Sequence, residues 1–165
     1  MRSITVSSVE LPDIQISIAS IQHLDEAVRC WCSLVIDQKN HDSRISVEAL
    51  SDSDQRQFLR SLILDGRLII ALDSSRLVGI ATIAIDNNML DQSQSVWNIS
   101  DVWVDTDYRR RGIGIQLVNE CEIQAKSKGA LEIRLQVYSS NLPASMMYGR
   151  LGYSTISRMM TKKLD

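Results

Sequence analysis

The chain has 165 residues, 44% of them hydrophobic and 23% charged, with a formal net charge of -2. That length suits one domain burying roughly 70% of its unfolded surface. The charge balance argues against wholesale binding to nucleic acid or to an anionic membrane. No apolar run approaches the roughly 20 residues of a membrane span, and the start "MRSITVSSVELPD" lacks the apolar centre of a secretory signal, so the cytoplasm is the expected location.

Residues 1–13 are polar and read as an N-terminal tail, with one domain over 14–165. "IQISIAS" (14–20) alternates Ile14, Ile16 and Ile18, a strand signal. "IQHLDEAVRCWCSLVID" (21–37) places Leu24, Ala27, Val28, Trp31 and Val35 on one helical face. A second helix is predicted over 47–66, ending at Gly66, with Ser51 to Asp54 as the place where it breaks in two. "RLIIAL" (67–72) and "LVGIATIAI" (77–85), joined by "DSSR", read as a hairpin. A polar loop (86–94) leads to a strand over 95–104. Ile113, Leu117, Val118, Cys121 and Ala125 then form a helical stripe that stops at Gly129. "LEIRLQV" (131–137) alternates as a strand, a last helix covers about 143–151 with Pro143 in its first turn, and "STISRMMTKKL" (154–164) reads as a final strand.

Cys30, Cys32 and Cys121 form no disulfide framework or ligand pair, and they read as small buried hydrophobes. Neither His23 nor His41 has a Cys or His at ligand spacing, so no metal site is expected.

The strand over 95–104, the helix over 112–128 and the strand over 131–137 make a βαβ unit, expected to cross over right-handedly between parallel strands. "YRRRGIG" (108–114) sits at its bend, where backbone N–H groups at a helix start lack partners and the helix dipole favours an anion. Two readings compete: an exposed turn that is basic by accident, and a phosphate cradle built from Arg109, Arg110 and Arg111 around Gly112 and Gly114. A P-loop is excluded because no Lys-Ser or Lys-Thr follows Gly114. A dinucleotide fingerprint fails because Leu117 stands where its third glycine belongs.

Arg109-x-x-Gly112-x-Gly114 matches the pyrophosphate motif of the GCN5-related N-acetyltransferases. "NLPASMMYGRLGY" (141–153) matches the family's later motif through Asn141, Ala144, Tyr148, Gly152 and Tyr153. With the hairpin that carries Gly79, the chain resembles this family over roughly 14–164. The resemblance implies an α+β fold: a mixed, mostly antiparallel sheet with a splayed parallel strand pair and about four flanking helices. It implies acetyl-CoA as cosubstrate, an amine as acceptor and no metal; homodimers are common in the family, and the charge balance and lack of a long apolar run speak against nucleic-acid and membrane partners.

The same resemblance assigns roles. The backbone of Val102, Trp103 and Val104 would pair with the pantetheine arm, and a backbone amide there would polarise the thioester carbonyl. The amides of Arg110, Arg111, Gly112, Ile113, Gly114 and Ile115 would hold the pyrophosphate. Asn141 and Ala144 would lie along the arm, and Tyr148 would be the general acid beside the leaving thiol. Asp101 matches a position that is often acidic, often after a Glu, where this chain has Ser100. It is a candidate base or ammonium anchor, with a plain surface acid as the competing reading. Acceptor choice falls to about 22–60 and 86–97. There Asp37, His41, Asp42, Glu48, Asp52 and Asp54, then Asp86, Asp91 and Trp97, hint at a cationic acceptor or form a solvated face. A non-catalytic acyl-CoA sensor and a transferase of a larger acyl group stay open as alternatives.

Overall fold

The computed structural model of the chain describes residues 13–86, 96–162 and 164. The alternating isoleucines form β1, Ile14–Ile18. A 3-10 turn at Ile21–His23 leads into α1, Leu24–Lys39, which buries Ala27, Cys30, Leu34 and Val35. The second predicted helix is in two pieces: a 3-10 turn at Val47–Ala49 and α2, Asp52–Leu64. Ser51 separates them because it caps α2, its hydroxyl accepting the Asp54 N–H at 3.2 Å. The hairpin comes next as β2, Leu68–Asp73, and β3, Arg76–Ile85. Then come β4, Val96–Val104; α3, Ile113–Ser127; β5, Glu132–Leu135; and α4, Leu142–Arg150.

The strands lie in the order β1-β2-β3-β4-β5, antiparallel except for the parallel β4–β5 pair joined through α3. This is the mixed, mostly antiparallel sheet that the family resemblance implies. Both its faces are covered, which is why β2 and β3 read as unbroken apolar runs. Along β2, Leu68 and Ile70 meet Ala27, Cys30, Leu59 and Leu62 of α1 and α2. The alternate residues Ile69 and Ala71 face the α3 side with Leu117, Val118 and Cys121. Gly79 permits the close approach of α3: a Cβ there would lie 3.1 Å from both the Leu117 side chain and the Trp103 carbonyl oxygen.

One irregularity divides β4 into two halves. Thr82 pairs with Asp101 and Ile83 with Ile99, so Ser100 is an extra residue, a β-bulge. Before it, Trp97 and Ile99 belong to the core on the α3 side; after it, Val102 and Val104 do. Asp101 and Trp103 are thereby turned to the α1 side, where Trp103 packs against the second core. Pairing with β5 stops at the same point, Ile99 opposite Leu135.

Two expectations from the sequence are corrected. The strand read over 131–137 is only Glu132–Leu135, with Leu131 88% exposed, because the neighbour it needs turns away at Ser100. The final strand read over 154–164 is absent among the described residues. Residues 154–162 are irregular, and Ile156, Met159 and Met160 are exposed. Their alternation supplies strand propensity, but no sheet edge pairs with them. Of the N-terminal tail only Asp13 is described, and the loop 86–94 lies outside the described residues beyond Asp86.

Gly79→Ala is expected to cost about 1–3 kcal/mol in urea unfolding, because the Trp103 carbonyl cannot yield as a flexible side chain would.

Candidate functional site

The turn between β4 and α3 is stiffened from beneath. Asp105 accepts the Asp107 N–H at 3.1 Å and an ion pair from Arg76 at 2.8 Å. Tyr108 donates to Asp73 at 2.7 Å, and the Arg76 and Arg111 guanidinium groups both lie over its ring, 5.5 and 5.1 Å from the centroid. Above this base the backbone enters the left-handed region twice, at Arg110 (φ 67°) and at Gly112 (φ 82°), the residue that caps α3. A side chain at Gly112 would meet nothing within 4 Å, so its backbone angle, and not crowding, demands glycine. Gly114 differs: a Cβ there would sit 3.3 Å from the Met147 sulfur, so this glycine serves α3–α4 packing.

The first α3 amide with a backbone acceptor is Gln116, bonded to the Gly112 carbonyl. Among the described residues, none of the N–H groups from Arg110 to Ile115 has an acceptor. They form a run of donors at the positive end of a helix, the arrangement that receives an anion.

The three arginines have separate tasks. Arg109 donates through Nε to the Val104 carbonyl at 2.8 Å and through Nη2 to Asp37 at 2.5 Å. Arg111 donates to the Asp107 carbonyl at 2.8 Å. Arg110 makes no hydrogen bond or ion pair among the described residues.

Beyond the bulge, β4 has β3 on one side and no strand on the other. Val102, Trp103 and Val104 thus line the place where the parallel pair separates, each half-buried. Asp101 lies on the α1 side of this strand, the same side as Trp103. Thr82 donates to its carboxylate at 2.7 Å, and burial pushes its pKa above the ordinary 3.8, opposed by that hydrogen bond. Tyr148 projects from α4 into the core on the α3 side, 9% exposed, edge-on to Tyr153 at 5.7 Å. Burial, and then the neighbouring Cys121, push its pKa up to about 12. Its hydroxyl has no hydrogen-bond partner among the described residues, whereas that of Tyr153 donates to Glu122 at 2.8 Å. Asp101 and Tyr148 thus lie on opposite faces of the sheet and are not in contact. Asn141 caps α4, its Oδ1 accepting the Ala144 N–H at 3.2 Å.

The acidic residues around the first two helices are largely engaged within the fold. Asp42 pairs with Arg44, whose hydrogen bonds hold its carboxyl at about 2; Asp54 joins the Ser51 cap, and Asp86 pairs with Arg134. Asp91 lies outside the described residues. A half-open cavity of about 130 Å³ beside Trp103 is lined by Glu26, Arg29, Arg76 and Asp105, with its charges paired to one another. The sequence carries no signal for the links of Asp37 to Arg109 and of Thr82 to Asp101, because each joins segments distant in the chain.

A model of the family described as "Acetyltransferase (GNAT) family" matches residues 24–153. A glucosamine 6-phosphate N-acetyltransferase of Trypanosoma brucei brucei is 34% identical over 88 residues, 53% of this chain and 57% of that protein. A ribosomal protein bS18-alanine N-acetyltransferase of Salmonella typhimurium is 32% identical over 74 residues, 45% of this chain and 47% of that one. The chain thus matches only about half the length of these two curated relatives, and less of others. The solved structure of AAC(6')-Iy in complex with a bisubstrate analog, CoA-S-monomethyl-acetylneamine, shares the fold. Its TM-score is 0.71 at 17% identity, covering 92% of this chain and 98% of that one.

The raised pKa of Asp101 gives a signed expectation. A buried carboxyl with a raised folded-state pKa favours folding fully only below its unfolded pKa, and that contribution is lost as pH rises through the folded value. Asp101→Asn, which still accepts from Thr82, is expected to be as stable as wild type in acid and more stable at neutral pH. Urea midpoints across pH check this; a variant less stable at neutral pH contradicts it.

Proposed function

The chain belongs to the GNAT acetyltransferase family, and from that premise we propose that it transfers an acetyl group from acetyl-CoA to an amine. The observation that carries the reading is the run of unpaired amides from Arg110 to Ile115 beside the half of β4 that keeps β3 but has no β5 partner. One feature suits a pyrophosphate and the other an extended arm bearing amides. Open space over Gly112 and the uncommitted Arg110 side chain fit the same group. Acetyl-CoA, when bound, supplies an activated thioester carbonyl and a thiol leaving group.

The residues divide the work across the sheet. The free edge of Val102–Val104 aligns the arm, and a backbone N–H there stabilises negative charge developing on the carbonyl oxygen. As the amine nitrogen bonds to the carbonyl carbon and the C–S bond breaks, the amine sheds a proton and the sulfur leaves as a thiolate, which takes its proton from solvent. Asp101, on the α1 side, holds the incoming ammonium or relays its proton through water. An alkylammonium near pKa 10 is too weak an acid for direct transfer to a carboxylate. Tyr148, on the α3 side, faces the leaving sulfur. A phenol at about 12 stays protonated beside a thiol near 8.5. Hydrogen bonding to the developing thiolate is therefore the larger part of its effect.

The N-acetyltransferase relatives support an amine acceptor. By their names, one of the two above acts on glucosamine 6-phosphate and the other on an alanine of a ribosomal protein.

Thiol release with acetyl-CoA over a panel of polyamines, aminoglycosides, amino sugars, amino acids and peptide N-termini tests the reading. Amine-dependent release is the expected result; tight CoA binding with no turnover on any amine favours a sensor. Gly112→Glu is expected to abolish CoA binding in calorimetry, since it sets a carboxylate at the donor run and imposes a left-handed backbone on a side chain. Tyr148→Phe is expected to lower kcat about 100-fold while CoA affinity stays near wild type. Unchanged turnover removes Tyr148 from the mechanism.

A further inference from the structure

We propose that Asp37, in the last turn of α1, is a positioning residue for the donor clamp. The inference rests on the reading that the turn at 109–115 receives the pyrophosphate. An aspartate near a helix C-terminus is disfavoured by the helix dipole, so its place there calls for compensation from elsewhere. One of its oxygens, Oδ2, accepts two hydrogen bonds: from Trp103 Nε1 at 3.0 Å and from Arg109 Nη2 at 2.5 Å. Arg109 is simultaneously fixed through Nε to the Val104 carbonyl at 2.8 Å. Two of its donors are thereby committed, the guanidinium plane is set, and the remaining N–H groups are left for a ligand.

Orientation, not charge, is what Asp37 supplies. The two side chains are 40% and 42% exposed, so their attraction is screened by water. A freed Arg109 would keep a single anchor and regain rotamer freedom, which a ligand would have to remove on binding. The same oxygen steadies Trp103 within the half of β4 that lacks a β5 partner, so one carboxylate ties α1 to both the anion turn and the strand edge. His41, just past the end of α1, reaches the other side of the separation: its Nδ1 is 2.8 Å from Ser140 Oγ and its ring stacks on Tyr138 at 5.4 Å. The end of α1 therefore bridges both lips of the gap, with Asp37 as the contact on the donor side.

A double-mutant cycle on CoA affinity, read by calorimetry on the full chain with thermal unfolding as control, tests this. Asp37→Asn is expected to weaken CoA about five-fold in the wild-type background and less than about two-fold in Arg109→Ala. Asp37→Glu, which keeps the charge but moves the carboxylate by one methylene, is expected to weaken CoA as well. Equal losses in both backgrounds overturn the inference, because a general structural role does not depend on Arg109. Tighter binding by Asp37→Asn with Asp37→Glu at wild-type affinity overturns it too, since the carboxylate then acts only as a competing charge. Wild-type protein that does not bind CoA overturns the underlying reading and this inference with it; losses that add, with wild-type binding intact, overturn the inference alone.

Discussion

The single extra residue at Ser100 is the constraint on which the site depends. Up to Ile99, β4 is an ordinary central strand, bonded to β3 and β5. The bulge bends it, with two consequences. The parallel partner is lost, leaving a strand edge without a strand. The side-chain alternation also slips by one, so a carboxylate faces α1 and two valines face α3. Without the bulge Asp101 would point into the α3-side core, where an unpaired carboxyl is costly.

The rest of the fold holds that gap open and arms its two sides. Gly79 lets α3 sit hard against the sheet, which fixes where the helix begins and therefore where its free amides point. Gly114 does the same between α3 and α4, where a Cβ would sit 3.3 Å from the Met147 sulfur. Burial then acts on two ionisable groups in the same direction with opposite uses. The raised pKa keeps Tyr148 a proton-bearing donor, and it makes Asp101 a stronger base than a free aspartate. In the proposed transfer the two would act from opposite faces, Asp101 on the incoming ammonium and Tyr148 as a hydrogen-bond donor to the leaving sulfur.

Most of this framework is legible in the sequence because it is written in local terms. Periodicity locates the strands and helices of the sheet and its flanks, and the Arg109 to Gly114 spacing places a helix start at a strand end. Tyr148 falls within the predicted last helix and on its buried face, whereas the capping of that helix by Asn141 is a contact the sequence reading did not assign. What stays hidden is tertiary. The bulge leaves only a faint local mark, the adjacent polar pair Ser100-Asp101, because Val96 and Trp103 fill the alternate positions with apolar residues and mask the slip in period. Asp37 reads as one more acid on an acceptor-facing surface, while its partners Trp103 and Arg109 lie far along the chain. The final strand fails for the converse reason: Ile156 and Met159 have the right residue types, but a strand exists only where an edge receives it.

Amide hydrogen exchange read by mass spectrometry, with and without CoA, tests the central claim most directly. The donor run and the free strand edge together form the binding surface, so CoA is expected to slow exchange in two stretches, Arg110–Ile115 and Val102–Val104, with little change in β1 or α2. Protection confined to other segments, or none at saturating CoA, would contradict the account.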